Sequence, residues 1–221
     1  ALNWSTLKSM AVSPRFYRWR LENPREDTPA LAFGRAFHVA LLEPERFDAA
    51  YVVEPRFGDC RFKDAKTRRD AWRAEYAGRD CVSAADYAAI LAMREAVLTH
   101  PIAAPLLVEG RHEEIVTWKL PSGLACKGRL DIIRADGLAD LKTSAACPTL
   151  REVGRAMATY LYHGQLAWYH DGAIAAHLIP AEAPPPALIV VQSEGPYDCA
   201  AGRLSVEALQ AGRLLYRSLV A

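Results

Sequence analysis

The stretch 127–144 constrains the fold most strongly, because its pattern predicts a β-hairpin with unusual chemistry on its arms. Both arms are rich in aliphatic residues, and Asp136-Gly137 between them is a strong signal for a two-residue turn. Such a turn would pair Asp131 with Lys142 across the hairpin. Residues that lie opposite one another, or two apart on one strand, share a face. Asp131, Asp140 and Lys142 are therefore expected to project together.

Two carboxylates and one ammonium on otherwise aliphatic strands have two interpretations. A solvated hairpin face with a cross-strand Asp–Lys pair is ordinary, and such a pair contributes roughly 0.2–1 kcal/mol. A divalent metal site is the alternative, because hard carboxylate oxygens suit Mg²⁺ and a nearby lysine can orient or activate a water. The hairpin by itself leaves both interpretations open.

Composition limits the classes of protein that the chain can represent. Its 221 residues are enough for one domain with a substantial core, and we expect a single domain over residues 1–221. The formal net charge is +1, so any nucleic-acid surface must be local. No apolar run approaches the roughly 20 residues that span a bilayer, and we expect a cytoplasmic protein without membrane contact. Five scattered cysteines without a CxxC pair favour free thiols over a zinc or iron–sulfur site.

Capping and periodicity signals predict the order of the elements. Helical residues 3–20 and a helix that starts at Thr28-Pro29 come first, and residues 113–144 form an antiparallel meander. Residues 149–174 follow as a helical crossover, and segment 187–220 supplies a buried strand and a last helix. This order predicts an α/β fold in which a mixed central sheet contains the hairpin and is flanked by helices.

One glutamate of the strand before the hairpin is a candidate partner for its carboxylates. With a four-residue loop at 120–123, Glu114 would fall on the same face as Asp131. A three- or five-residue loop would place Glu113 there instead. We favour Glu114, because the apolar residues of its strand share its phase.

Predicted helices supply three further candidates. His38 lies on a core-facing stripe, where a lone histidine is more often a hydrogen-bonded core residue than a ligand. Gln165 and Tyr169 are four residues apart and therefore share one helix face. That spacing alone assigns them no function.

Two basic stretches are candidates for contact with a nucleic acid. In segment 61–73 a solvated surface is the default interpretation, and a phosphate-tracking arm around Lys66, Arg68 and Arg69 is the alternative. In segment 15–20 aromatic residues alternate with arginines. An amphipathic helix with a solvated basic face is the commoner interpretation there, and a DNA-contact surface is the alternative.

Taken together, these features resemble the PD-(D/E)XK nuclease superfamily, and within it the exodeoxyribonuclease VIII (RecE-like) group of the RecB-type nucleases. The motifs that carry the resemblance are Ser5-Thr6-Leu7-Lys8 with Ser13-Pro14, Gly34-Arg35-Ala36-Phe37-His38 with Leu42-Glu43-Pro44, Lys127-Gly128-Arg129-Leu130-Asp131 with Asp140-Leu141-Lys142-Thr143, and Gln165-Leu166-Ala167-Trp168-Tyr169. They cover nearly the whole chain, and the last three form a specific signal in this order and spacing. The second acid is Asp140 where glutamate is the alternative, which the superfamily allows.

The resemblance implies a role for each candidate residue. The implied metal ligands are His38, Glu114, Asp131, Asp140 and the carbonyl of Leu141. Mg²⁺ is the implied cofactor, and a histidine ligand would let Mn²⁺ substitute. No iron–sulfur cluster is expected, because the cysteines of that branch are missing. Lys142 would position the attacking water, and Gln165 and Tyr169 would bind the scissile-strand phosphate or brace the site.

The same resemblance implies an exonuclease that hydrolyses linear double-stranded DNA, 5′→3′, in phage-type recombination. Its implied partners are duplex DNA ends, a single-strand annealing protein and further copies of the chain in a ring. Two alternatives remain: a structure-specific or single-strand endonuclease of the same superfamily, and a catalytically silent DNA-binding module. The intact Asp131, Asp140 and Lys142 argue against the silent module.

Overall fold

A six-stranded mixed sheet forms the centre of the fold. The computed structural model describes residues 1–59 and 61–221 of the chain. The strands in these residues are β1 (Leu2–Asn3), β2 (Tyr51–Glu54), β3 (Asp80–Ser83), β4 (Arg111–Lys119), β5 (Ala125–Arg134), β6 (Gly137–Ser144), β7 (Ala187–Gln192) and β8 (Cys199–Arg203). The helices are α1 (Trp4–Leu7), α2 (Pro14–Glu22), α3 (Pro29–Leu42), α4 (Pro44–Ala50), α5 (Lys63–Glu75), α6 (Ala84–Thr99), α7 (Ala103–Leu107), α8 (Leu150–Tyr160), α9 (Tyr162–Ala175) and α10 (Val206–Val220).

The sheet is mixed, because β1 runs parallel to β5 and the chain crosses over between the parallel strands β6 and β7. Its order is β1-β5-β6-β7-β8, and β4 also pairs with β5. Strands β4, β5 and β6 form the predicted antiparallel meander, whereas β6 and β7 run parallel. Helices α8 and α9 make this crossover. Strands β2 and β3 form a separate parallel pair.

Helices cover both faces of the sheet. On one face, α3 and α6 pack against the sheet around Phe37, Met93 and Leu141. On the other face, α9 and α10 pack around Trp168 and Leu130. All residues of β7 are buried, as expected for a central strand with both faces covered. Helices α3 and α9, which lie on opposite faces of the sheet, therefore both reach the hairpin formed by β5 and β6.

The hairpin turns one residue earlier than its sequence predicts. Arg134 pairs with Gly137, so Ala135 and Asp136 form the turn, and the predicted turn at Asp136-Gly137 is wrong. The guanidinium of Arg134 bonds the Asp136 side chain at 2.9 Å, and Gly137 takes a φ of 152° that favours glycine. Gly137 therefore indicated correctly that a turn lies here. It follows the turn, however, and is not one of its two central residues.

Two long predicted helices are interrupted in the structure. The side chain of Asn3 caps α1, and a short 3-10 turn leads to Ser13, which caps the separate helix α2. Pro14 begins α2 because it has no backbone N–H with which to continue an earlier helix. The crossover helix breaks at Leu161, which has a left-handed conformation with a φ of 58°. Within the described ranges, no helix is long and apolar enough to cross a membrane.

Candidate functional site

The site is built on an interruption in the pairing of β5. Strand β4 pairs with one edge of β5. The other edge pairs with β1 at 126–127 and with β6 only from Ile132 onward. Across the described residues, the edge at 128–131 therefore has no partner strand. Asp131 stands at the end of this open edge, where β5 and β6 separate.

The carboxylate of Asp131 connects three elements at that point. Its Oδ2 accepts a 2.8 Å hydrogen bond from the backbone N–H of Leu141 on β6. The same oxygen lies 3.8 Å from Nδ1 of His38 on α3. His38 therefore faces the hairpin carboxylates, as the ligand interpretation requires, and it is not a buried core residue.

Glu113 completes a cluster with His38 and Asp131. Its Oε1 lies 3.3 Å from Nδ1 of His38. One ligand atom from each of the three residues lies within 4.8 Å of the others, a spacing that a single metal ion can bridge. Glu114 does not join this cluster, because its carboxylate pairs with Arg111 at 3.0 Å. The preference for Glu114 is therefore wrong, and Glu113 takes its place.

The loop length and a kink in β4 explain the exchange. Lys119 pairs with Ala125, so the loop has five residues, and that register aligns Glu113 with Asp131. Glu113 also has a left-handed φ of 54°. Its side chain and that of His112 both reach α3, so the strand's alternation is broken here. A left-handed glutamate within a strand leaves no pattern in the sequence.

Asp140 and Lys142 form a buried ion pair beside the cluster. The Lys142 ammonium contacts Oδ2 of Asp140 and lies 5.2 Å from the centroid of the Tyr162 ring. The contact lacks hydrogen-bond geometry, and no group in the described part of the chain donates a hydrogen bond to either buried Asp140 oxygen. A buried acceptor without a donor is costly, on the order of 1–3 kcal/mol. Among the described residues, Asp140 thus has an ionic partner in Lys142 but no hydrogen-bond donor, which fits a site that binds a cation.

The pKa shifts show that the charged groups of the site act strongly on one another. Burial raises the pKa of Asp140 to about 6, and the nearby Asp131 charge adds to this effect while Lys142 opposes it. Burial lowers the pKa of Lys142, but Asp140 and Asp131 outweigh it and keep the ammonium charged. The pKa of His38 is likewise raised, because Asp131 and Glu113 outweigh its burial. A bound divalent cation would favour the ionised form of the buried Asp140.

The donor set fits such a cation. Carboxylates suit Mg²⁺ and Mn²⁺, and an imidazole is a better ligand for Mn²⁺ than for Mg²⁺. The cluster opens into a cavity of about 500 Å³, and Leu141, another predicted ligand, lines its wall. Asp140 lies outside the three-residue group, with its carboxylate turned to Lys142.

Gln165 and Tyr169 lie over the open edge of β5. The Gln165 amide donates a 3.2 Å hydrogen bond to the Tyr169 hydroxyl. The Tyr169 ring packs so closely on Gly128 that a Cβ there would lie 2.7 Å from it, which explains the glycine in this strand. Burial and the Asp140 charge raise the pKa of Tyr169 to about 12. The motif therefore braces the strand that carries Asp131.

The basic segment 61–73 lies apart from this cavity. Its helix α5 contributes no residue to the cavity wall. Arg68 donates a hydrogen bond to a backbone carbonyl, and Arg69 pairs with Asp70 at 2.9 Å. Lys66 is exposed on the same helix. The structure thus brings none of Lys66, Arg68 and Arg69 to the metal cluster.

Two residues of the site were missed in the sequence. The guanidinium of Arg129 contacts Oε2 of Glu113, and it lies 3.7 Å from Glu43. Its position two residues before Asp131 on one strand was an available signal. The ring of Tyr162 beside Lys142 had no such signal, because the left-handed break before α9 positions it.

The mixed sheet, the flanking helices and this acidic hairpin define a PD-(D/E)XK-type fold. The family model described as "PDDEXK-like domain of unknown function (DUF3799)" matches residues 3–220, and the chain belongs to this family. The predicted superfamily and fold class are therefore confirmed.

Among solved structures, the chain is similar to a crystal structure described as a "putative exonuclease" from Eubacterium rectale. The TM-score is 0.63 at 14% sequence identity, and the match covers 98% of this chain and 77% of that chain. At this identity the likeness concerns the fold. No curated protein matches the chain in sequence.

Proposed function

We propose that this protein is a metal-dependent nuclease that hydrolyses phosphodiester bonds in DNA, with residues 1–221 acting as one nuclease domain. The observation that carries the proposal is the meeting of the His38, Glu113 and Asp131 cluster with the buried Asp140–Lys142 pair. The cluster has the chemistry to bind a cation, and the ion pair has the chemistry to move a proton or stabilise charge. The two lie next to each other at one cavity.

In this proposal His38, Glu113 and Asp131 hold the cation, which is Mg²⁺ with Mn²⁺ as a substitute. When bound, it supplies Lewis acidity at the scissile phosphate. Asp140, whose charge interacts with that of Asp131, would join the coordination after turning from Lys142. The carbonyl of Leu141, at the wall of the cavity, remains a proposed further ligand.

Lys142 has the tasks of positioning and charge stabilisation. Its raised pKa keeps it an ammonium at neutral pH, so it donates hydrogen bonds and does not act as a base. It orients the attacking water and stabilises charge that develops on the phosphate oxygens. Gln165 and Tyr169 hold the strand edge beneath the scissile phosphate, and their polar groups are available to bind it.

The finer proposal is that the substrate is linear duplex DNA, degraded from its ends 5′→3′ in phage-type recombination in the cytoplasm. Lys66, Arg68 and Arg69 would hold the duplex backbone away from the cavity. A single-strand annealing protein and a ring of identical subunits are the proposed partners. This finer proposal is supported by the motif resemblance described above and by the similar fold of a "putative exonuclease".

The experiment compares one plasmid in covalently closed, nicked and linear forms, incubated with the protein and Mg²⁺. Loss of the linear form alone, with release of mononucleotides from one labelled end, is expected. Labels at the 5′ and 3′ ends of matched substrates report the polarity. Rapid cutting of the closed circle would instead favour the endonuclease alternative.

A further inference from the structure

Helix α2 lies on the surface of the fold and packs against the 3-10 turn that precedes it. None of its residues is buried. Phe16 and Trp19, one turn apart, stack on each other with ring centroids 5.7 Å apart and an angle of 22° between the planes. Phe16 is 37% exposed and Trp19 is 49% exposed. Both rings of this stacked pair are therefore partly exposed to solvent.

The charge of α2 is strongly one-sided. Three arginines and a single glutamate lie in its nine residues. The guanidinium of Arg20 lies 5.8 Å from the centroid of the Trp19 ring, over which it makes a cation–π contact. Among the ion pairs of the described residues, none involves Arg15, Arg18 or Arg20. Cations without acidic partners beside exposed rings suit a polyanion that also carries flat bases.

The position of α2 connects it to the active site. Strand β1 pairs Asn3 with Lys127, immediately before the open edge of β5, and the chain leads from there through α1 to α2. Lys8 lies between α1 and α2, and besides burial the charges of Arg25, Lys142 and Arg20 lower its pKa. Lys8 is therefore within electrostatic reach of both Lys142 and α2. Lys8 therefore connects the charge of Lys142 with that of Arg20 on α2.

We propose that α2 is a binding surface for single-stranded DNA, on which unpaired bases stack against Phe16 and Trp19 while phosphates contact Arg15, Arg18 and Arg20. The proposal rests on the proposed nuclease function. It deepens that function by assigning α2 as the surface that binds the single strand where it enters or leaves the active site. Stacking on aromatic rings tolerates any base sequence, so this surface would bind a single strand without sequence preference. A protein partner with an apolar surface would gain little from three unpaired arginines.

The test measures binding of a fluorescently labelled oligothymidylate to the full chain. EDTA removes divalent cations, so that binding is measured without hydrolysis. Phe16→Ala and Trp19→Ala should each weaken binding by roughly tenfold, since stacking contributes about 1–3 kcal/mol per base. Trp19→Phe should retain most of the affinity. The matched control is Leu214→Ala, which removes an apolar side chain that is 71% exposed on α10, and it should bind like the wild type.

Unchanged oligothymidylate binding by the Phe16→Ala/Trp19→Ala double variant would overturn the proposal. So would a double variant that binds normally but turns an oligomer into a monomer in sedimentation, because α2 would then be an interface between copies. Melting temperatures confirm that each variant is folded, which is expected because α2 buries no residue.

A separate Mg²⁺ assay on linear duplex distinguishes the two proposals. Binding that depends on Trp19 in a protein without hydrolytic activity would leave the α2 surface standing and remove the nuclease. If the protein hydrolyses the duplex but binds the single strand equally well without the Phe16 and Trp19 rings, the nuclease proposal stands and the α2 proposal is removed.

Discussion

Arg129 contacts Oε2 of Glu113 while the imidazole of His38 lies 3.3 Å from Oε1 of the same carboxylate. Both oxygens of this candidate ligand therefore already have a partner on the protein. A cation that uses Glu113 must compete with the Arg129 guanidinium for one of them. We therefore expect Arg129 to weaken the binding of a cation at this carboxylate.

Replacing Arg129 with Gln is expected to tighten Mn²⁺ binding two- to fivefold. The gain is modest because the Arg129 side chain is 47% exposed, and ion pairs that solvent screens contribute about 1 kcal/mol or less. Calorimetric titration with Mn²⁺ measures it. The control is Arg46→Gln, which removes a cation that pairs with Glu43 at 2.6 Å. Equal Mn²⁺ affinities in Arg129→Gln and wild type would show that the contact does not compete with the cation.

Adjacent glutamates on β4 should respond oppositely to the same substitution. Glu113→Gln is expected to abolish the rise in melting temperature with Mn²⁺ and to cut Mg²⁺-dependent DNA hydrolysis more than about 100-fold. Glu114→Gln loses only a surface ion pair, so both quantities should stay within a few-fold of the wild type. If Glu114→Gln lost Mn²⁺ stabilisation and hydrolysis while Glu113→Gln kept both, Glu114 would again be the assigned ligand. That result would contradict the observed register.

Acid stability tests a cluster away from the metal site. Asp171 on α9 accepts hydrogen bonds from Arg213 and from the Tyr216 hydroxyl on α10, each at 2.7 Å. Burial alone would raise the Asp171 pKa, but the hydrogen bonds from His170, Arg213 and Tyr216 hold it at about 2. Because the folded-state pKa is depressed, the stabilisation is complete above the ordinary value of 3.8 and disappears as pH falls toward 2.

Asp171→Asn is therefore expected to lower the free energy of unfolding by about 2 kcal/mol at pH 7, with the loss shrinking as the pH approaches 2. Urea unfolding of both proteins at several pH values measures the difference. A loss that stayed constant over that range would show that Asp171 contributes through packing and not through its charge.

The shared face of Asp131, Asp140 and Lys142 was predictable, because the alternation of side chains along the strands fixes it. The turn was placed one residue late, yet this shifts the pairing by two positions. An even shift keeps the same residues on the same face, so Asp131 remained close to Asp140 and Lys142 despite the error. The position of His38 was predictable for a similar reason, since its helix periodicity fixed its face.

The rest depended on backbone details that side-chain patterns do not record. A single additional residue in the loop before β5 exchanges Glu114 for Glu113. The left-handed residues Glu113 and Leu161 interrupt a strand and a helix at sites without glycine. The role of Arg129 follows only from its distance to Glu113 once the register is known.

The most direct test of the account is the initial rate of Mg²⁺-dependent hydrolysis of end-labelled linear duplex DNA by wild type, Asp140→Asn and Lys142→Ala. The wild type is expected to release nucleotides only with Mg²⁺ or Mn²⁺. Both variants should bind the duplex with affinity near that of the wild type and hydrolyse it more than about 1,000-fold slower, because the lost groups act on the transition state. The assignment of this site as a nuclease centre would be contradicted if folded Asp140→Asn and Lys142→Ala hydrolysed the DNA at the wild-type rate. It would also be contradicted if the wild type hydrolysed no DNA with either metal.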